Sequence, residues 1–309
     1  MPDILGKALR VKNSLRDLAF ERIRRRRLSV YLGSERRPWS TGYWEFREQS
    51  LQAAVQDESL LTTFRAGNDL PKGYGHRLDA RIIEIPWALS HVDAQPGSFL
   101  DAGSALNYDF VLTSPALQQQ KVTIVTLAPE GHAFWQLGVS YHFGDLRKLD
   151  FRSGLFDMVC CISTIEHIGM DNSMYAGNAD IARRGDPAEF LLAVGELKRV
   201  LKPGGKLCIT FPFGRYENHG WFQQFDAPLL DQLVTSFQPS EFREHIFRYE
   251  PDGWRRSNRQ DCAGCEFFDV HESKQFNSGS AIDLPDDYAA GERAVACLVL
   301  HKQLQTISN

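Results

Sequence analysis

From residue 76 onward, short apolar runs alternate with segments of helical period, and this alternation leaves few architectures open to the chain. The runs at Ser98–Leu100, Val122–Leu127, Phe156–Ile162, Lys206–Phe211, about Phe242–Tyr249 and Ala294–His301 have the length and composition of buried strands. Helical patterns cover Leu78–His91, Tyr108–Gln119, Ala188–Leu201 and Ala227–Phe237. Strands joined through helices make right-handed crossovers, which predicts an α/β fold with a mainly parallel sheet covered on both faces. Ligands of such sheets bind at the carboxyl ends of the strands, near the switch in strand order.

Residues 1–70 read differently. Ile4, Ala8, Val11, Leu15 and Leu18 recur at helical spacing, Arg24 to Arg27 form a basic run, and Leu51, Ala54, Val55, Leu60 and Leu61 suggest further helix. The Pro- and Gly-rich stretch Leu70-Pro71-Lys72-Gly73-Tyr74-Gly75 reads as a connector, dividing a helical, basic extension at 1–70 from a main domain at 71–309. Eleven Lys/Arg against four Asp/Glu among residues 1–37 give a local charge of +7 and leave −11 for the rest of a chain of net charge −4. So acidic a body disfavours broad nucleic-acid binding, and any anionic partner, or a second copy of the chain, is expected at the extension. No run approaches the 18 apolar residues of a membrane span, and Asp3, Lys7, Arg10, Lys12, Arg16 and Asp17 interrupt any leader-like core, so a cytoplasmic protein is expected. The cysteines fall mostly in apolar runs (Cys160, Cys161, Cys208, Cys297) and read as reduced core residues. Cys262-Ala263-Gly264-Cys265 has the spacing of half a zinc site, but no second pair appears and an ordinary turn is expected.

Three loops carry chemistry. Asp101-Ala102-Gly103-Ser104-Ala105-Leu106-Asn107 follows a strand, and its small residues let the backbone approach a ligand. Phe143-Gly144-Asp145-Leu146-Arg147 comes some forty residues later, before the strand that ends at Ser163-Thr164-Ile165-Glu166-His167. The passage Leu201-Lys202-Pro203-Gly204-Gly205 then leads from a helix into a strand.

In this order the motifs resemble those of the class I S-adenosylmethionine-dependent methyltransferases, over about residues 76–302. The resemblance implies a Rossmann-like methyltransferase fold, a seven-stranded sheet and S-adenosylmethionine as cofactor. It places Asp101, Gly103 and Ser104 at the methionine end, with Ala102 and Asn107 also among the cofactor-binding residues, Asp145 at the adenine amino group with Leu146 stacking nearby, and Ser163 at the end of the fourth strand. The chain departs from the family pattern at Ala105 and Asn107, where glycines are usual, and at Thr126, where an acid is usual; the ribose is left to Thr126 or Glu130. Thr126-Leu127-Ala128-Pro129-Glu130, residues 163–172, Phe213-Gly214-Arg215 and His219-Gly220-Trp221-Phe222 look like a bacterial group associated with glycan or secondary-metabolite gene sets. That likeness implies a small-molecule acceptor, with a sugar or glycan hydroxyl first.

For a hydroxyl acceptor a base is needed. His167 is the first candidate, with Glu166 to orient it and His219 second. Glu166, His167 and Asp171 are instead able to hold a divalent cation. A catalytically silent scaffold and an NAD-dependent oxidoreductase are the competing functions, though residues 103–108 lack the G-x-G-x-x-G spacing of the latter.

Overall fold

The computed structural model describes residues 18–176 and 185–304. Helices α1 (18–32), α2 (Tyr43–Gln56), α3 (Glu58–Ala66) and α4 (Arg81–Ser90) come first. Then follow β1 (Gly97–Ala102), the single turn α5 (Asp109–Leu112), β2 (Gln120–Thr126), β3 (Ser140–Phe143) and β4 (Phe156–Ile162). After α6 (Ser173–Ala176) and α7 (Phe190–Val200) come β5 (Leu201–Pro212) and a small pair, β6 (Glu217–Asn218) and β7 (Gln223–Gln224). The chain continues through α8 (Ala227–Phe237), β8 (Glu241–Glu250), β9 (Gly253–Ser257), α9 (Arg259–Cys262) and β10 (Ala294–His301). Of the N-terminal stripe, Ile4, Ala8, Val11 and Leu15 lie outside the described residues, and Leu18 is exposed.

The sheet order is β3-β2-β1-β4-β5-β10-β8-β9. Strands β1 to β5 pair in parallel, and β10 runs antiparallel between β5 and β8. This is the Rossmann-like methyltransferase fold expected, with eight strands in place of seven. The added strand, β9, returns on β8 in a hairpin. Its Arg255 and Arg256 break the apolar pattern by which a strand is read, while Trp254 is buried.

Side chains alternate across the sheet and feed two cores. Phe99, Met158, Cys160, Cys208, Val295 and Cys297 face α2, α3 and α4, whereas Leu100, Val159, Cys161, Leu207 and Ile209 face α7 and α8. Helix α4 is buried on every side from Ile82 to Ser90, which explains its near-continuous apolar composition. Asp226 accepts from the Leu229 amide at 3.0 Å to cap α8, and Asp57 caps α3 through the Leu60 amide at 3.0 Å.

The connector at 70–75 is packed, not free: the Trp254 amide donates to the Tyr74 carbonyl at 2.8 Å. On its N-terminal side Tyr31, Tyr43, Leu51, Val55 and Phe64 are buried in the same cluster as β1 and β2. Arg47 and Asp79 pair at 2.6 Å in the interior, and Tyr43 donates to the same carboxylate at 2.9 Å.

The helix expected over Tyr108–Gln119 is only α5, because Pro115 has no amide hydrogen and disfavours helical backbone at Ser114. Strand β5 starts at Leu201, five residues before the expected Lys206, since Leu201 already pairs with Phe156 before a register shift. Gly204, at φ 76, donates its amide to the Lys302 carbonyl at 3.0 Å within that irregular stretch. Cys265 donates its amide to the Cys262 carbonyl at 2.9 Å, closing a turn, and all six cysteines are free. Among the described residues no helix is long and apolar enough to cross a membrane.

Candidate functional site

Four parallel strands deliver four loops to one cavity of about 340 Å³ at their carboxyl ends. Gly103 follows β1, Thr126 to Glu130 follow β2, Gly144 to Arg147 follow β3, and Ser163, Thr164 and His167 follow β4. Ile168, Met170 and Tyr175 line the outer side, and Arg81 reaches the wall from α4.

Gly103 is the position where glycine is obligatory. Its φ is 123°, and an added Cβ would lie 2.0 Å from Thr164 Oγ1 and 2.7 Å from Thr164 Cβ. Ser104 (φ 64°) and Ser163 (φ 36°) also hold left-handed backbone without being glycine. Such strain persists only where the surroundings enforce it, and it collects at functional loops.

Asp101, which the resemblance places at the cofactor's methionine end, is not on the cavity wall. It is fully buried, Oδ2 accepts from the Leu106 amide at 2.9 Å, and Oδ1 has no partner. Burial pushes its carboxyl up to about 7. Its work is to hold the 102–106 loop in shape. Ala102 is buried beneath that loop, and the Ser104 hydroxyl is buried without a partner. Asn107 likewise stays off the wall: its amide donates to Glu130 Oε2 at 3.1 Å and to the His132 carbonyl at 3.1 Å, while Tyr141 donates to it at 2.8 Å. Asn107 thereby positions Glu130, which does line the cavity along with Thr126.

Asp145 and Leu146 are on the wall. Asp145 accepts from Arg147 twice through Oδ2, at 2.6 and 2.8 Å, and once from its amide through Oδ1, at 2.8 Å. Each carboxylate oxygen carries two lone pairs, so Oδ1 retains one acceptor site for a ligand amino group.

His167 lies at the cavity with Nδ1 2.9 Å from the Trp221 carbonyl. A carbonyl only accepts, so Nδ1 carries the proton and Nε2 presents a lone pair. Packed against Trp221, Tyr175 and Phe222, the ring is desolvated, which lowers its pKa to about 4. Glu166 does not orient it. The nearest approach is 4.0 Å, from Oε1 to Nε2, beyond hydrogen-bond reach, and burial pushes the Glu166 carboxyl well up. His219 is off the wall, stacked at 4.4 Å on Phe222 with Nε2 buried and unbonded. Among the described residues no group of His, Cys, Asp and Glu is arranged to hold a metal ion.

Several contributors escape a reading of loops. Glu84, fully buried on α4, accepts from Arg81 at 2.6 Å, from Thr210 at 2.6 Å and from the Ser163 hydroxyl, tying α4, β5 and the β4 loop together. The signal was present as one Arg and one Glu, three apart, in the otherwise apolar Arg81-Ile82-Ile83-Glu84-Ile85. Beside them, burial and the Glu84 charge push Glu292 up to about 8.

Residues 111–209 match the family model for a methyltransferase domain. No curated protein matches the chain. Among solved structures, the chain is similar to YcgJ from Bacillus subtilis, at 12% identity over 72% of this chain and 99% of that one, with a TM-score of 0.42. It is also similar to the 1,6-didemethyltoxoflavin-N1-methyltransferase of Burkholderia thailandensis, whose structure contains 1,6-didemethyltoxoflavin and S-adenosylhomocysteine (15% identity, 81% of this chain, 88% of that one, TM-score 0.41). A third is an S-adenosylmethionine-dependent methyltransferase from Thermotoga maritima (13% identity, 82% of this chain, 99% of that one, TM-score 0.43). The matched stretch, from α5 into β5, contains three of the four cavity loops.

Proposed function

We propose that the chain binds S-adenosylmethionine in this cavity and transfers its methyl group to a hydroxyl of a small molecule, a sugar or glycan intermediate being the first acceptor class to test. The observation that carries the reading is the convergence of the loops after β1, β2, β3 and β4 on one cavity. The residues present suit the cofactor: Gly103 lets the first loop pack tightly against Thr164 at the cavity edge, Glu130 and Thr126 offer oxygens for ribose hydroxyls, and Asp145 with apolar Leu146 suits adenine.

The cofactor supplies a methyl group already activated on sulfonium, so the protein's part is orientation, exclusion of water and removal of a proton. His167 does the last. Its Nε2 lone pair would take the acceptor's hydroxyl proton, while the Trp221 carbonyl fixes the ring. Because burial holds the imidazole neutral down to about pH 4, the base is competent across the neutral range.

Thermal melts with S-adenosylhomocysteine beside NAD test the first step, since a ligand that binds only the folded state raises its stability. A rise with S-adenosylhomocysteine alone is expected, and incubation of acceptors with cofactor should add one methyl by intact mass. If neither ligand moves the melt, the silent-scaffold reading gains. The observation favouring that reading is Arg147's hold on both oxygens of Asp145.

A further inference from the structure

Helix α1 has one face in the protein and the rest in water. Tyr31 is buried and Arg24 and Leu28 are half-buried, the three lying on one side at spacings of four and three. Arg24 pairs with Glu48 at 2.8 Å and Arg27 with Glu45 at 3.4 Å, which fastens that side to α2. The outward residues follow two adjacent rows, Leu18-Arg22-Arg25-Ser29-Leu32 and Ala19-Ile23-Arg26-Val30, each at spacings of three and four. On these rows Leu18, Ile23, Val30 and Leu32 are between 49% and 64% exposed. Between them stand Arg22, Arg25 and Arg26, which have no ion-pair or hydrogen-bond partner among the described residues.

We infer that the outer face of α1 is a docking surface for an anionic lipid bilayer, lying flat at the headgroup level. Exposed aliphatic side chains cost free energy in water, and interleaved guanidiniums that repel one another add to the cost. The headgroup boundary relieves both at once: aliphatic side chains enter the acyl edge, and arginines snorkel to phosphates. Nucleic acid would neutralise the arginines but leave Leu18, Ile23 and Val30 uncovered. A second copy docked symmetrically on this face would cover the aliphatics but set arginine against arginine. The −11 of the rest of the chain is repelled by the same bilayer, which confines contact to this edge. The inference stands apart from the methyl-transfer reading, since it uses none of the cavity residues.

Co-sedimentation of the full chain with vesicles of phosphatidylcholine, with and without phosphatidylglycerol, tests it. Binding is expected only with phosphatidylglycerol, and should weaken as salt rises. Arg22→Gln/Arg25→Gln/Arg26→Gln should lower vesicle affinity roughly a hundredfold, from about 1 kcal/mol per surface cation. Ile23→Ser/Val30→Ser should lower it at least tenfold while keeping the salt dependence. Melting temperatures of both variants should stay close to the parent's, because these side chains are exposed. The inference is overturned if the chain ignores anionic vesicles, binds neutral ones equally, or binds as before in the triple variant. Capture of single-stranded RNA without vesicle binding overturns it, as does a dimer that Ile23→Ser/Val30→Ser dissociates without loss of vesicle binding.

Discussion

Replacing Gly103 by alanine probes the loop on which the proposed cofactor site depends. Two costs are expected. The backbone at φ 123° is one that an L side chain rarely adopts, a strain of about 1–3 kcal/mol. The new methyl would also stand 2.0 Å from Thr164 Oγ1 and 2.7 Å from Thr164 Cβ. Rotating Thr164 relieves the first contact at the loss of its hydroxyl's 2.9 Å bond to the Ile162 carbonyl, worth about 1 kcal/mol. The second contact is independent of rotamer and forces the backbone apart, adding roughly 1–3 kcal/mol of overpacking. Urea denaturation should therefore show a loss of about 3–7 kcal/mol in Gly103→Ala. Calorimetry should show S-adenosylhomocysteine binding at least tenfold weaker, because the shifted loop faces the cavity. Gly103→Ala/Thr164→Gly removes the colliding side chain and should restore the overpacking part but not the backbone strain. A single variant as stable and as tight-binding as the parent would refute the geometry of this loop and the fit argued from it.

His167→Ala should lower turnover by about 10²–10⁴ with cofactor affinity little changed. In the parent, activity should fall only as pH drops through about 4, where the buried imidazole gains a proton; an acid limb near the ordinary histidine value of about 6.5 would remove His167 as the base. Asp101→Asn should flatten part of the pH dependence of stability. The unfolded carboxyl ionises near pH 4 and the folded one near 7, so the folded state binds more protons between them and stability falls as pH rises across that window. The stability gap between variant and parent should widen over that range by at most about 4 kcal/mol in denaturant melts, and a constant gap contradicts the buried setting. Asp145→Ala should weaken S-adenosylhomocysteine binding by roughly ten- to a hundredfold for the loss of a charged acceptor, and unchanged calorimetric affinity would take Asp145 out of the adenine site.

The sheet was legible wherever burial is a property of a local run. Phe156–Ile162, apart from Asp157, and Ala294–His301, apart from its last residue, are apolar because both their faces are covered, and both strands were read to the residue. Helix α8 was read as Ala227–Phe237 from its helical pattern and spans those residues. Strand β9 did not, since its place is set by pairing with β8 and not by its own composition. The order of the loops around Gly103, Asp145 and Ser163 was likewise readable, because glycine and small residues at a strand end reflect local backbone demands. What each ionisable group does there was decided by residues far away in the chain. Asp101 is fully buried and accepts from the Leu106 amide, a setting that its place at a strand end does not reveal. His167 takes its tautomer from the carbonyl of Trp221, 54 positions on, and its low pKa from the aromatic rings that fold around it. Glu84 meets Ser163 and Thr210 only after α4 packs across the sheet, 79 and 126 positions away. Periodicity carries information over a few residues, which is enough for strands, helices and turns. Desolvation and charge pairing act through space, so the chemistry of the site is written only in the tertiary structure.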